Sequence, residues 1–186
     1  MKKILTIISI LVLSNFSLIK AQIYTAKDGA TNISFYSEAP LENIEAVNKS
    51  ASVVFKSSTA DLQMSISIQN FKFKNALMEE HFNENYMETE KYPKCVFKGK
   101  INEPVDYTKD GENKVTVTGK LELHGVTKEV TINGTLTKSG VEFKLNSKFK
   151  IKVSDYNIKV PSMYVKNIAE TVDVTFNAVL EPFKKK

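Results

Sequence analysis

The stretch Val115-Thr116-Val117-Thr118-Gly119-Lys120-Leu121-Glu122-Leu123-His124 alternates without a fault, with apolar residues or glycine at odd positions and polar residues at even ones. Successive side chains of an extended chain point to opposite faces, so the pattern predicts a strand with one dry face and one wet face. Downstream, Val130, Ile132 and Leu136 oppose Glu129, Thr131 and Thr135, and then Val141, Phe143 and Leu145 oppose Glu142, Lys144 and Asn146. His124-Gly125-Val126 and Lys138-Ser139-Gly140 supply the turns between these runs. Val172, Val174, Phe176, Ala178 and Leu180 repeat the pattern near the C-terminus. Extended upstream, the same reading predicts strands near 32–36, 51–57, 61–73, 94–101, 113–123, 127–137, 141–151 and 171–180. Consecutive hairpins build a meander, and a meander with one apolar face must hide it by closing or by packing a second sheet. Closure is the expectation: an all-β, eight-stranded antiparallel up-and-down barrel.

One segment breaks the strand rhythm. Leu77, Met78, Phe82 and Tyr86 fall at helical spacing, Asn75 stands as N-cap, and acids cluster near the start. A short amphipathic helix is therefore predicted at about 75–88, stopped before Tyr92-Pro93 because the residue preceding proline is pushed out of helical geometry. It is expected to cover one mouth or flank of the barrel. A second short helical stretch, 40–47, is predicted to link the first two strands.

The chain opens Met1-Lys2-Lys3, continues with the apolar Ile4 to Ile19 interrupted by Thr6, Ser9, Ser14, Asn15 and Ser17, and reaches Lys20-Ala21-Gln22. This order of basic, apolar and small residues predicts a signal peptide over 1–21 and export to the periplasm or beyond, leaving one domain over 22–186. The uninterrupted apolar runs are too short for an integral membrane span. Cleavage removes Lys2, Lys3 and Lys20, so 26 basic residues become 23 against 21 acidic ones and the net charge falls from +5 to +2. The remaining lysines alternate with acids instead of forming a stripe that tracks phosphates, which argues against a nucleic-acid partner. The single cysteine, Cys95, rules out an internal disulfide and shares the strand parity of Phe97, which favours a buried, inert thiol.

Catalytic apparatus is not evident. The chain contains no Gly-x-Ser-x-Gly elbow, phosphate-cradling glycine loop or Cys-x-x-Cys pair. His81, Glu84 and Glu88 share a predicted helical region, but a chain with two histidines lacks the usual ligand set of a catalytic zinc, and a solvated helix face is the favoured reading. His124 in its turn reads as structural. An enzyme acting on a bound amphiphile would have His124, Asp155 and Tyr156 as its least implausible polar groups.

The segments Phe71-Lys72-Phe73-Lys74-Asn75-Ala76-Leu77-Met78, His81-Phe82-Asn83-Glu84-Asn85-Tyr86-Met87, Lys91-Tyr92-Pro93 and Gly119-Lys120-Leu121-Glu122-Leu123-His124-Gly125-Val126-Thr127-Lys128, in that order, resemble the YceI-like family. The resemblance spans roughly 33–180 and implies a lipocalin-like barrel whose elongated apolar cavity holds an isoprenoid chain, such as a polyprenyl compound or a quinone tail. The implied protein is an exported, non-catalytic binder of one long-chain apolar molecule that requires no cofactor, with a homodimer left open. Phe35, Phe55, Ile66, Ile68, Phe73, Leu77, Met78, Phe82, Phe97, Leu121, Leu123, Phe143, Leu145, Met163, Val174 and Phe176 are the candidate lipid-binding residues. Parity does not separate a hollow interior from a filled one, so the alternative is a stress or interaction protein with a solid barrel acting through its loops.

Overall fold

The computed structural model describes residues 22–38, 43–159 and 169–184, so the predicted signal peptide and the candidate Met163 lie outside the described residues. Among the described residues ten strands form: β1 (Ile23–Ser37), β2 (Ile44–Asn48), β3 (Ser52–Lys56), β4 (Asp61–Ser67), β5 (Lys72–Phe73), β6 (Lys94–Ile101), β7 (Gly111–Leu123), β8 (Val126–Ser139), β9 (Glu142–Lys152) and β10 (Thr171–Pro182). All pairings are antiparallel, and β10 pairs with β1 to close the ring. Along the other edge of β1, β3 lies against Ile23–Thr25 and β2 against Ile33–Ser37, so the two act as one interrupted stave. β4 on β3 and β5 on β2 make a second interrupted stave, and the barrel is eight-stranded as the sequence predicts.

The two breaks are stitched by one buried side chain. Asn48, at the end of β2, donates from Nδ2 to the Ser67 carbonyl at 2.8 Å and accepts from Ser50 N and Oγ at 2.9 Å each. Its amide is fully enclosed at 0 % exposure, and these bonds meet the cost of burying it.

Three expectations need correction. Of the stretch expected to be helical at 40–47, residues 40–42 lie outside the described residues and 44–47 instead belong to β2, where Ala46 and Asn48 point inward while the backbone satisfies the free edge of β1. The first strand is far longer than 32–36 and carries a bulge between Ala26 and Thr31 that sets four residues against one on β10, three more than a regular ladder. Those residues include Gly29 at φ +67°, and they switch the inward parity from Tyr24 and Ala26 to Thr31, Ile33 and Phe35, which hides the strand from a period-two reading. The strand read over 61–73 breaks at a 3-10 turn, Ile68–Asn70.

One end of the barrel is solid. Tyr24 meets the edge of Phe143 at 4.6 Å between ring centroids, Phe55 meets Phe143 at 5.4 Å and Tyr107 at 5.3 Å, and Leu136 and Leu180 fill the remaining space. Toward the other end two strands part. β8 and β9 pair only from Ser139/Glu142 to Gly134/Ser147, although β8 stays on β7 as far as Val126 and β9 stays on β10 as far as Lys152. Val130 and Ile132 on β8, and Phe149 and Ile151 on β9, are correspondingly only half-buried.

Phe143 is the keystone of the solid end. Phe143→Ala is expected to cost about 3–5 kcal/mol in urea unfolding, while Val141→Ala, at an exposed turn position, stays within about 0.5 kcal/mol.

Candidate functional site

At the other end the inward side chains do not meet, and they leave an apolar cavity of about 350 Å³. Its walls are Ile33 and Phe35 of β1, Met64 and Ile66 of β4, Cys95 of β6, Leu121 and Leu123 of β7, Phe149 and Ile151 of β9, and Val172 and Val174 of β10. A lid covers the mouth. It consists of helix α1 (Ala76–His81) running into a π-helical turn, Phe82–Tyr86, which together occupy the span predicted for the helix. The Asn75 side chain accepts from Leu77 N at 2.9 Å, the N-cap anticipated from sequence.

The lid is seated by aromatic contact. Phe82 stacks on Phe35 at 5.5 Å and touches Phe71 at 5.8 Å and Phe73 at 5.0 Å. Offset and edge-on ring pairs of this kind contribute about 0.5–1.5 kcal/mol each beyond the area they bury. No residue of α1 is buried, and Leu77 is 56 % exposed although it also lines the cavity. The lid is thus seated by the Phe82 ring, with Tyr86 packed against the core and Glu79 accepting from Lys72 Nζ and Phe73 N, and it presents Leu77, Met78 and His81 to the opening.

A second latch holds the segment that follows the lid. His124 and Gly125, at φ +50° and +73°, form the tight turn that joins paired Leu123 and Val126. The buried His124 ring places Nε2 3.0 Å from Glu88 Oε2 and Nδ1 3.1 Å from the Tyr156 carbonyl, and Tyr92 packs on it at 4.4 Å. A Cβ on Gly125 would stand 2.6 Å from the Tyr92 ring, so glycine is required by both backbone and neighbour. Lys128 adds an ion pair to Asp155 at 3.3 Å. His124, Asp155 and Tyr156 thus tie the barrel rim to its flanking turns, and none of the three lines the cavity.

Of the candidate lipid-binding residues, Phe35, Ile66, Ile68, Phe73, Leu77, Met78, Phe82, Leu121, Leu123 and Val174 line this cavity. Phe97, Leu145 and Phe176 line a smaller void of about 50 Å³ deeper in the barrel. Phe55 and Phe143 are placed differently from expectation, in the solid end, because strand parity reports inwardness and not depth along the axis. Residues not singled out from sequence include Met64, Phe71, Met87, Phe149, Ile151 and Val172; the parity of Phe143 and Leu145, continued along β9, reaches Phe149 and Ile151. Among the described residues no three His, Cys, Asp or Glu side chains cluster as metal ligands.

Cys95 reports on the cavity wall. Burial, with a smaller contribution from Glu122, pushes its thiol up to about 12 from an ordinary 9.0. The thiolate fraction near neutral pH is therefore about a thousandfold smaller than that of a free cysteine. Labelling with an aromatic disulfide reagent is expected to be slower by at least that factor in native protein than in urea. Comparable rates in the two states would contradict the buried placement.

The comparisons with known proteins agree with this architecture. A domain of Saccharophagus degradans described as polyisoprenoid-binding superposes with a TM-score of 0.73 at 17% identity, covering 88% of this chain and 100% of that one. BcnA of Burkholderia cenocepacia gives 0.67 at 24% identity, covering 80% and 95%, and the YCEI protein of Campylobacter jejuni gives 0.60 at 19%, covering 80% and 90%. A UPF0312 protein of Photorhabdus laumondii is 33% identical over 107 residues, 53% of this chain, and the match spans about half of that relative's length, 52%. The model of the YceI-like domain matches residues 24–180, from the first residues of β1 to the end of the last inward run of β10, and the chain belongs to that family.

Proposed function

We propose that this chain is an exported, non-catalytic carrier that holds the apolar chain of an isoprenoid lipid or isoprenoid quinone in the upper half of its barrel. The observation that carries the reading is the cavity of about 350 Å³, walled by aliphatic, aromatic and thioether side chains and roofed by an amphipathic lid. An apolar tail needs no polar partners along its length, and each methylene moved from water into such a space contributes about 0.8 kcal/mol. Dry apolar cavities are otherwise costly to maintain in a folded protein, because their walls forgo the contacts of close packing. The description of the Saccharophagus domain as polyisoprenoid-binding agrees with this choice of ligand.

The polar groups at the opening suit a head group that stays near water. His81 and Asn75 are at the lid, and Lys72 pairs with Glu79 beside it. The tail enters first and the head remains under α1. Export is carried by the N-terminal segment 1–21, which would leave Gln22 as the first residue.

Protein purified without detergent from its own host's envelope fraction is expected to begin at Gln22 by intact mass and to release a prenyl lipid on organic extraction. Delipidated protein should bind prenols, and Ile151→Trp, which fills the cavity from a half-buried position, should weaken binding by at least about tenfold with the fold retained. Absence of any apolar molecule from the native protein, together with failure of the delipidated protein to take up prenols, would overturn the carrier reading.

A further inference from the structure

We propose that Met64 and Phe149 form a waist that sets the length of apolar chain the barrel accepts. The inference rests on the carrier reading and adds a specificity-determining pair to it. The hollow part of the barrel is two chambers, the upper of about 350 Å³ under the lid and the lower of about 50 Å³ above the solid end. Met64 and Phe149 are the two described residues that line both.

Their positions in the ring explain why. Met64 is on β4 and Phe149 on β9, and in the order β10-β9-β8-β7-β6-β4-β3-β1 these strands lie four places apart in either direction. The two side chains therefore reach inward from opposite walls. Both are half-buried; the inward neighbours of Met64 on its strand, Leu62 and Ile66, are buried, whereas those of Phe149, Ser147 and Ile151, are half-buried like it.

Both sides of the waist can also yield. Methionine turns about three side-chain bonds and adapts to irregular gaps. Phe149 sits where β9 has left β8 and is paired only with Val174 of β10 among the described residues, so its backbone is held on one side. Below them the lower chamber, lined by Val53, Leu62, Phe97, Ile132, Leu145 and Phe176 among others, holds only about 50 Å³. A tail that reaches the waist can place at most a small terminal group beyond it, and further units must remain outside the mouth. Binding should then tighten with each added isoprene unit until the tail meets the waist, and level off beyond that length.

The test is affinity against chain length, with delipidated full-length protein titrated with farnesol, geranylgeraniol and longer prenols. Wild type is expected to show a plateau. Met64→Ala joins the chambers and should move the plateau to a prenol at least one isoprene unit longer, tightening that prenol by about tenfold while leaving shorter ones unchanged. Adding Ile132→Phe, which fills only the lower chamber, should return the plateau to its wild-type position. Phe149→Leu should lengthen the accepted chain in the same way and carries the test if Met64→Ala does not fold. A folded Met64→Ala or Phe149→Leu protein with an unmoved plateau overturns the waist. Wild type that binds no prenol of any length overturns the carrier reading itself.

Discussion

A closed ring of eight strands has a girth fixed by hydrogen bonding, so side-chain size alone decides whether its inside is solid or hollow. This chain does both. Below the middle, rings from β1, β3 and β9 and the Tyr107 ring meet across the axis. Above it the inward residues are mostly Ile, Leu, Val, Cys and Met, too short to span the same distance, and the largest rings there are gathered beneath the lid. Closure is what makes this gradient possible: the β1–β10 ladder holds the walls apart where no contact across the lumen does so.

The lid and the rim depend on that frame in different ways. Phe82 binds the lid to the barrel through apolar rings, a contact without strong directional demands. Glu88, just beyond the lid, is fixed by His124 with hydrogen-bond geometry, and the backbone at Glu88 is itself turned to φ +43°. The end of the covering segment is therefore pinned to the rim, whereas its start, α1, has no buried residue.

Much of this was legible in the sequence because period-two alternation and turn chemistry are local. The β7–β8 hairpin, with its His-Gly turn, and β6, β9 and β10 were readable from residue order, as was the Asn75 cap. What was lost was lost for physical reasons. The β1 bulge reverses parity within one strand, and β2, five residues with the adjacent Ala46 and Val47 breaking the alternation, is too short to signal a strand before its partner is known. The site was half legible. Parity named inward residues, but Phe55 and Phe35 look alike from their neighbours in sequence, and only the stagger of the closed sheet sends one to the solid end and the other to the mouth. Met64 and Phe149 acquire their meaning from standing on opposite walls, a relation between β4 and β9 that no local pattern contains.

The aromatic plug at one end makes the barrel a cup and not a pipe. A molecule held beneath α1, as proposed, could not leave through that plugged end. Under the carrier reading, loading and unloading would both take place at the lidded end and along the parted edges of β8 and β9, so a membrane or protein that hands over a molecule and one that receives it would compete for the same face. The direction of traffic would then be set by which of them is the greasier host rather than by any polarity of the protein.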